Sequence, residues 1–269
     1  PPPIPEEVED STKDEDRTSN SILDFANALP NLIAWQRHLL KRTKFIINPG
    51  QLRQRALEIP DSLMLLTDQH FLNEKTCFAW TLLQHDGEIL ASGSGACPGP
   101  PERTRADAWS ILAGIQFLQQ VWLSTTDEIR QARNITILNR NKRIIQRINE
   151  LLTYNQVYCN NTLDRDWDIV SATAATVKQN KFNTIKWEPL HLFLGRQRTL
   201  DIHRMPLITQ RHIDTKEIAK QTLQELPQQN QHSPFLPTSR CLLIHPTSTI
   251  HGRYNTAYRE AATLPALFS

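Results

Sequence analysis

Apolar and polar positions follow two periods along the chain. From Ile22 to Leu40 the apolar residues Ile22, Phe25, Ala26, Leu29, Ile33, Trp35, Leu39 and Leu40 predict a short helix, a break at Pro30 and a second helix. From Ser62 the period shortens to two. Leu63–Leu66 leading into Thr67-Asp68, then Cys77–Leu83, then Ile89–Ser94 predict three strands in an antiparallel meander, joined by turns such as His85-Asp86-Gly87. Helical spacing returns in Arg103–Trp122, through Ala106, Trp109, Ile111, Leu112, Ile115, Leu118 and Trp122. Further on we expect a strand at Asn134–Leu138, helices at Lys142–Leu152 and Trp167–Lys178, a strand at Thr184–Leu194 interrupted at Pro189, and a helix at Ile213–Leu226 capped near Asp214. Three strands, a helix, a strand, helices, a strand and a helix make a mixed sheet covered by helices.

Residues 1–20 hold four prolines and seven acids with almost no large apolar side chain, a composition that cannot repay the entropy of ordering. We expect a disordered tail there, a helical arm at 21–60, the mixed-sheet domain at 61–228 and an extension at 229–269. In the extension, Arg240–His245 and Ile250–Arg253 suggest a hairpin, and Asn255–Ala262 a helix. With 39% hydrophobic residues the chain can build a real core. The formal charge of +2 divides into −5 for the tail and +7 for the rest, which favours polyanions modestly. Neither a membrane span nor a secretory signal is readable, and Pro1 as first residue leads us to expect a piece of something longer. Cys77, Cys97, Cys159 and Cys241 show no zinc spacing and read as thiols of a reducing compartment, so an intracellular location, cytoplasmic or nuclear, is expected. The six tryptophans read as core anchors and the nine histidines show no metal spacing.

In such a sheet an acid ending the first strand, a second on the helix after the meander and a third after strand four converge over one end. Carboxylates gathered there can hold two divalent metals that activate water and stabilise the leaving oxygen in phosphodiester cleavage. Asp68 meets the first demand and Asp107 the second. As plain structure, Asp68 would be a strand-ending turn residue and Asp107 an exposed helix acid.

An ordered series of motifs resembles the ribonuclease H region of retrotransposon reverse transcriptases. It runs through Trp35-Gln36-Arg37-His38-Leu39-Leu40, Leu66-Thr67-Asp68-Gln69-His70, Phe78-Ala79-Trp80, Asp86 to Gly95, Arg105-Ala106-Asp107-Ala108-Trp109, Asn141-Lys142-Arg143-Ile144-Ile145, Trp167-Asp168-Ile169 and Pro237 to Leu267. The resemblance covers roughly residues 30–269. It implies a ribonuclease H-like five-stranded mixed sheet, three antiparallel strands then parallel ones, with flanking helices.

Ribonuclease H enzymes of that family use four acids and two metals to cut the RNA strand of an RNA/DNA hybrid. Carried over residue by residue, the first acid is Asp68, where the usual Asp-Gly-Ser has become Asp68-Gln69-His70. The second is Asp107, in place of a glutamate. Arg140 stands at the third acid, Lys216 at the fourth, and Arg196 at the family's histidine. Asp68, Asp107, Arg140 and Lys216 sum to zero charge, which opposes a pair of divalent cations. The resemblance thus implies a catalytically degenerate domain of retroelement origin that serves as a structural or binding module, with no cofactor. Its expected partners are an RNA/DNA hybrid, through Arg140, Lys142, Arg143, Arg196 and Arg198, and protein chains, through the arm and extension. The alternative is an active nuclease using Mg2+ or Mn2+, with Asp164, Asp166, Asp201 or Asp214 as the missing ligands.

Overall fold

The computed structural model describes residues 25, 28–48, 51–52, 63–84, 86–99, 101–123, 134–153, 166–179, 184–190, 204–226, 243–245 and 248–250. The strands are β1 (Lys44–Phe45), β2 (Leu63–Leu72), β3 (Lys75–Leu83), β4 (Ile89–Ala96), β5 (Asn134–Asn139) and β6 (Thr184–Pro189), arranged in the order β1-β4-β3-β2-β5-β6. β2, β3 and β4 pair antiparallel, while β2–β5 and β5–β6 are parallel. This is the expected five-stranded mixed sheet with β2 central, widened at one edge by the two-residue β1.

Local chemistry accounts for the turns. Leu72 faces Lys75 across β2–β3, leaving Asn73 and Glu74 as a two-residue loop with φ of 49° and 57°. Positive φ at both positions marks a tight turn whose twist matches that of the strands. Gly87, at φ 85°, makes the corresponding bend before β4.

Helices α1 (Ala34–Leu40), α2 (Arg103–Leu123), α3 (Lys142–Thr153) and α4 (Trp167–Gln179) serve one side of the sheet, and α5 (Arg204–Glu225) serves the other. Every residue of α2 from Arg105 to Leu118 is buried, because the sheet lies beneath the helix and α1 and α4 flank it. Its large cluster includes Leu63, Leu65, Phe78, Trp80, Trp109 and Phe117, with Trp80 stacked on Phe117 at 4.4 Å. The opposite face is smaller, with Met64, Leu66, Leu83, Leu138, Leu190 and Ile208. There α5 is joined to the sheet by hydroxyl pairs, Thr215 to Thr81 at 2.9 Å and Thr222 to Ser94 at 2.8 Å.

Several expectations are corrected. β2 does not end at Asp68 but runs to Leu72, because β3 continues to pair with it. α5 begins nine residues before Ile213; Pro206 falls in its first turn, where a missing N–H costs little. Pro30 lies inside a 3-10 turn, Leu29–Asn31, and the helical path breaks after it, at the extended Leu32 and Ile33. β6 stops at Pro189, and the C-terminal hairpin is β7 (Leu243–His245) with β8 (Ser248–Ile250), its second strand earlier than expected. The segment read as an arm supplies β1 and the Phe25 ring, which meets Phe45 at 5.0 Å. Residues 1–20, the helix at Asn255–Ala262, Cys159, Cys241, Asp164, Arg196, Arg198 and Asp201 lie outside the described residues. Among the described residues, no helix is long and apolar enough to cross a membrane.

Candidate functional site

The parallel pairing of β2 with β5 reaches Leu66 opposite Leu138, after which β2 continues along β3 while β5 ends and leads into α3. A fork opens at the carboxyl end of the parallel strands, the place where open α/β sheets accommodate ligands. Asp68 stands two residues beyond the last parallel pair. Side chains zip the crotch: Thr67 donates to the Leu138 carbonyl at 3.1 Å, and Asn139 donates to the Thr67 hydroxyl at 2.9 Å. Asn139 in turn accepts from the Asn141 N–H at 2.7 Å, and Asn141 caps α3 by accepting from the Ile144 N–H at 3.3 Å.

Two acids meet over this fork. Asp107, in the first turns of α2, accepts from the Asn141 amide at 3.1 Å. Burial pushes its carboxyl up to about 7; the Asn141 hydrogen bond and the Arg140 charge oppose that rise, and the Asp68 charge adds to it. Asp68 is buried within β2. Its Oδ1 accepts from the Gln69 N–H at 2.8 Å, and its Oδ2 lies 2.9 Å from Nε2 of His212 on α5. The pair stands at ion-pair distance without hydrogen-bond geometry, and neither atom has a hydrogen-bond partner among the described residues.

The residues carried over to the third and fourth acids do not face Asp68 or Asp107. Lys216 is exposed on α5, and His212, one turn earlier, faces Asp68 instead. The reason lies in the helix face: Ile208, His212, Thr215, Ala219 and Thr222 form the stripe turned to the sheet, and position 216 falls off it. Arg140 follows β5 as expected but is exposed, and no charged nitrogen of Arg140 or Lys216 lies within 4.0 Å of Asp68 or Asp107. Lys142 and Arg143 are exposed at the start of α3, so three cations border the fork. His212 escaped the sequence reading because hydroxyl residues interrupt the apolar stripe that surrounds it.

A second feature was missed. Arg105 grips Asp168 with two hydrogen bonds, at 3.0 and 2.7 Å, approaches Asp166 at 3.5 Å and donates to the Pro98 carbonyl. Its guanidinium also lies 5.8 Å from the Trp109 ring centre. This clamp ties the starts of α2 and α4 together and fixes Asp107 two residues on. Asp166 and Asp168 are therefore engaged as structure, and Asp214 is likewise paired, with Arg211 at 3.2 Å. Cys77 and Cys97 are free, and burial pushes the Cys77 thiol up to about 12, which makes it inert.

A two-magnesium centre asks for a shell of oxygen donors carrying matching negative charge. Among the described residues the fork brings together Asp68, facing an imidazole, and Asp107, bound to an amide. Among the described residues, no three His, Cys, Asp or Glu side chains gather as a ready-made metal site. The donors among the described residues do not fit two hard cations.

No family model matches the chain, and no curated protein matches its sequence. Solved structures do resemble it. LC11-RNase H1, isolated from compost, is 10% identical over 61% of this chain and 97% of its own, with a TM-score of 0.42. RNase H1 from Halobacterium salinarum is 9% identical over 61% and 98%, at 0.37. The foamy viral protease-reverse transcriptase, solved with an RNA/DNA hybrid, is 10% identical over 60% of this chain and 20% of its own, at 0.40. Strand order, pairing sense and helix placement are those of the five-stranded mixed sheet with flanking helices that the resemblance in the sequence implies.

Proposed function

We propose that the chain is a nucleic-acid-binding module of retroelement origin, built on a ribonuclease H-like fold whose two-metal hybrid cleavage has been lost. One observation carries the reading. Where two-metal chemistry needs four acids, the fork has Asp68 and Asp107 set against His212 and Asn141, with an exposed arginine beside them. Removing two carboxylates removes the charge that would hold a +4 metal pair. Arg140, Lys142 and Arg143 then supply an exposed cationic rim suited to a phosphate backbone, with Arg196 and Arg198 as expected additions. Of the acids that could restore an active site, Asp166 and Asp214 are committed to arginines.

Purified chain and its Asp68→Asn, Asp107→Asn double variant should show equal, background cleavage of an RNA/DNA hybrid in magnesium or manganese. Cleavage by the parent that the double variant lacks would overturn the reading. Hybrid binding should weaken with salt, and an R140A/K142A/R143A variant should lower the salt slope by about 2–3, near one per phosphate contact. Salt-insensitive or absent binding would move the role to protein assembly.

A further inference from the structure

The β2–β3 hairpin outgrows the body of the sheet. β2 runs on past its last parallel pair, at Leu66, to Leu72, held there among the described strands by β3 alone. Large apolar side chains near its tip stay outside both core clusters: Leu72 is 52% exposed and Phe71 is half-buried. Phe71 shares the strand face of Leu63 and Leu65, which α2 covers, and so meets the start of that helix. There the Arg103 guanidinium lies over its ring, 5.7 Å from the centre. Arg103 is exposed, and among the described residues no carboxylate pairs with it. A planar cation backed by an aromatic ring and open to solvent is a stacking platform.

This platform adjoins the cationic rim. Arg103 precedes Asp107 by one turn of α2, Asp107 accepts from Asn141 at 3.1 Å, and Asn141 stands between the exposed Arg140 and Lys142. A strand whose phosphates lie along Arg140, Lys142 and Arg143 therefore has a base within reach of Arg103. In a duplex the neighbouring pairs cover each base face, whereas an unpaired base offers its own. We propose, on the nucleic-acid reading of that rim, that the ligand is a single strand, one of whose bases stacks on the Arg103–Phe71 pair. The rim supplies affinity for phosphate, and the platform supplies preference for unpaired nucleotides. Stacking asks for a flat face and not for a particular base, so strandedness is read and sequence is not.

Full-length chain should bind a fluorescein-labelled oligothymidine of about twelve nucleotides at least about tenfold more tightly than its duplex with oligoadenosine. An abasic strand, which keeps the phosphates and lacks the bases, should be as weak as the duplex. Phe71→Leu keeps the apolar bulk and Arg103→Lys keeps the charge. Each variant, checked for folding by circular dichroism, should weaken oligothymidine binding about fivefold or more and leave the duplex and abasic strand unchanged. Abasic strand or duplex bound as tightly as oligothymidine, or variants that weaken all three ligands alike or none, overturns the platform and leaves the rim reading standing. Absence of salt-sensitive binding to any of the three overturns both. Should a variant fail to fold, the parent's comparison of oligothymidine with the abasic strand decides.

Discussion

Asp107 shows how burial turns an ordinary acid into a pH-dependent liability. Unfolded, its carboxyl ionises near 3.8; folded, it holds its proton to about 7. Between those values the native state binds more protons than the unfolded one, so stability falls as pH rises from about 4 to about 7 and then levels. The loss is a few kcal/mol, at most ~4 by the size of the shift. Urea unfolding across that range should show the decline, and Asp107→Asn should flatten it and be the more stable form at pH 8. A parent whose stability rises over the same interval contradicts the assignment. Arg105 makes the opposite case, a buried charge already matched. Arg105→Ala leaves Asp168 and Asp166 uncompensated and should cost about 3–5 kcal/mol in chemical denaturation, far more than Arg42→Ala at the exposed Arg42–Glu225 pair. Asp68 and Asp107 were legible in the sequence because each follows a clear local pattern. His212 was not, since only the docked face of α5 distinguishes it from Lys216.

At the scale of elements, the strands and the central helix were readable wherever burial was one-sided or complete. β3 and α2 were placed within about two residues, because period two and a long apolar run admit few alternatives. β2 was cut short at Asp68 since a buried acid inside a strand looks like a strand end, and α5 was started late because Pro206 resembles a break. Close packing gives these elements testable tolerances. A Cβ at Gly93 would overlap the Trp80 indole, itself pinned on Phe117, so Gly93→Ala should destabilise by about 1–3 kcal/mol in thermal or urea melts. In the β2–β3 turn, Glu74 holds a conformation that glycine adopts without strain. Glu74→Gly should leave stability unchanged or raise it by about 1 kcal/mol, and a loss would argue against that turn geometry.

Across the whole molecule the two faces of the sheet are unequal. On one side α1 to α4 share a large apolar cluster; on the other, Ile208 of α5 meets five core residues, supplemented by two hydroxyl pairs and the His212 contact. Apolar area sets how much free energy a local opening costs, so the α5 side should open first. Amide hydrogen exchange should therefore release α5 well before α2, and equal protection in both helices would show the faces to be one cooperative unit. His212 rides on the helix that opens, whereas Asp68 and Asp107 belong to the part that stays. Breathing of α5 thus also sets how long the fork stays dry: each opening lifts the imidazole away and bares the two acids to water at the pace of a helix leaving its sheet.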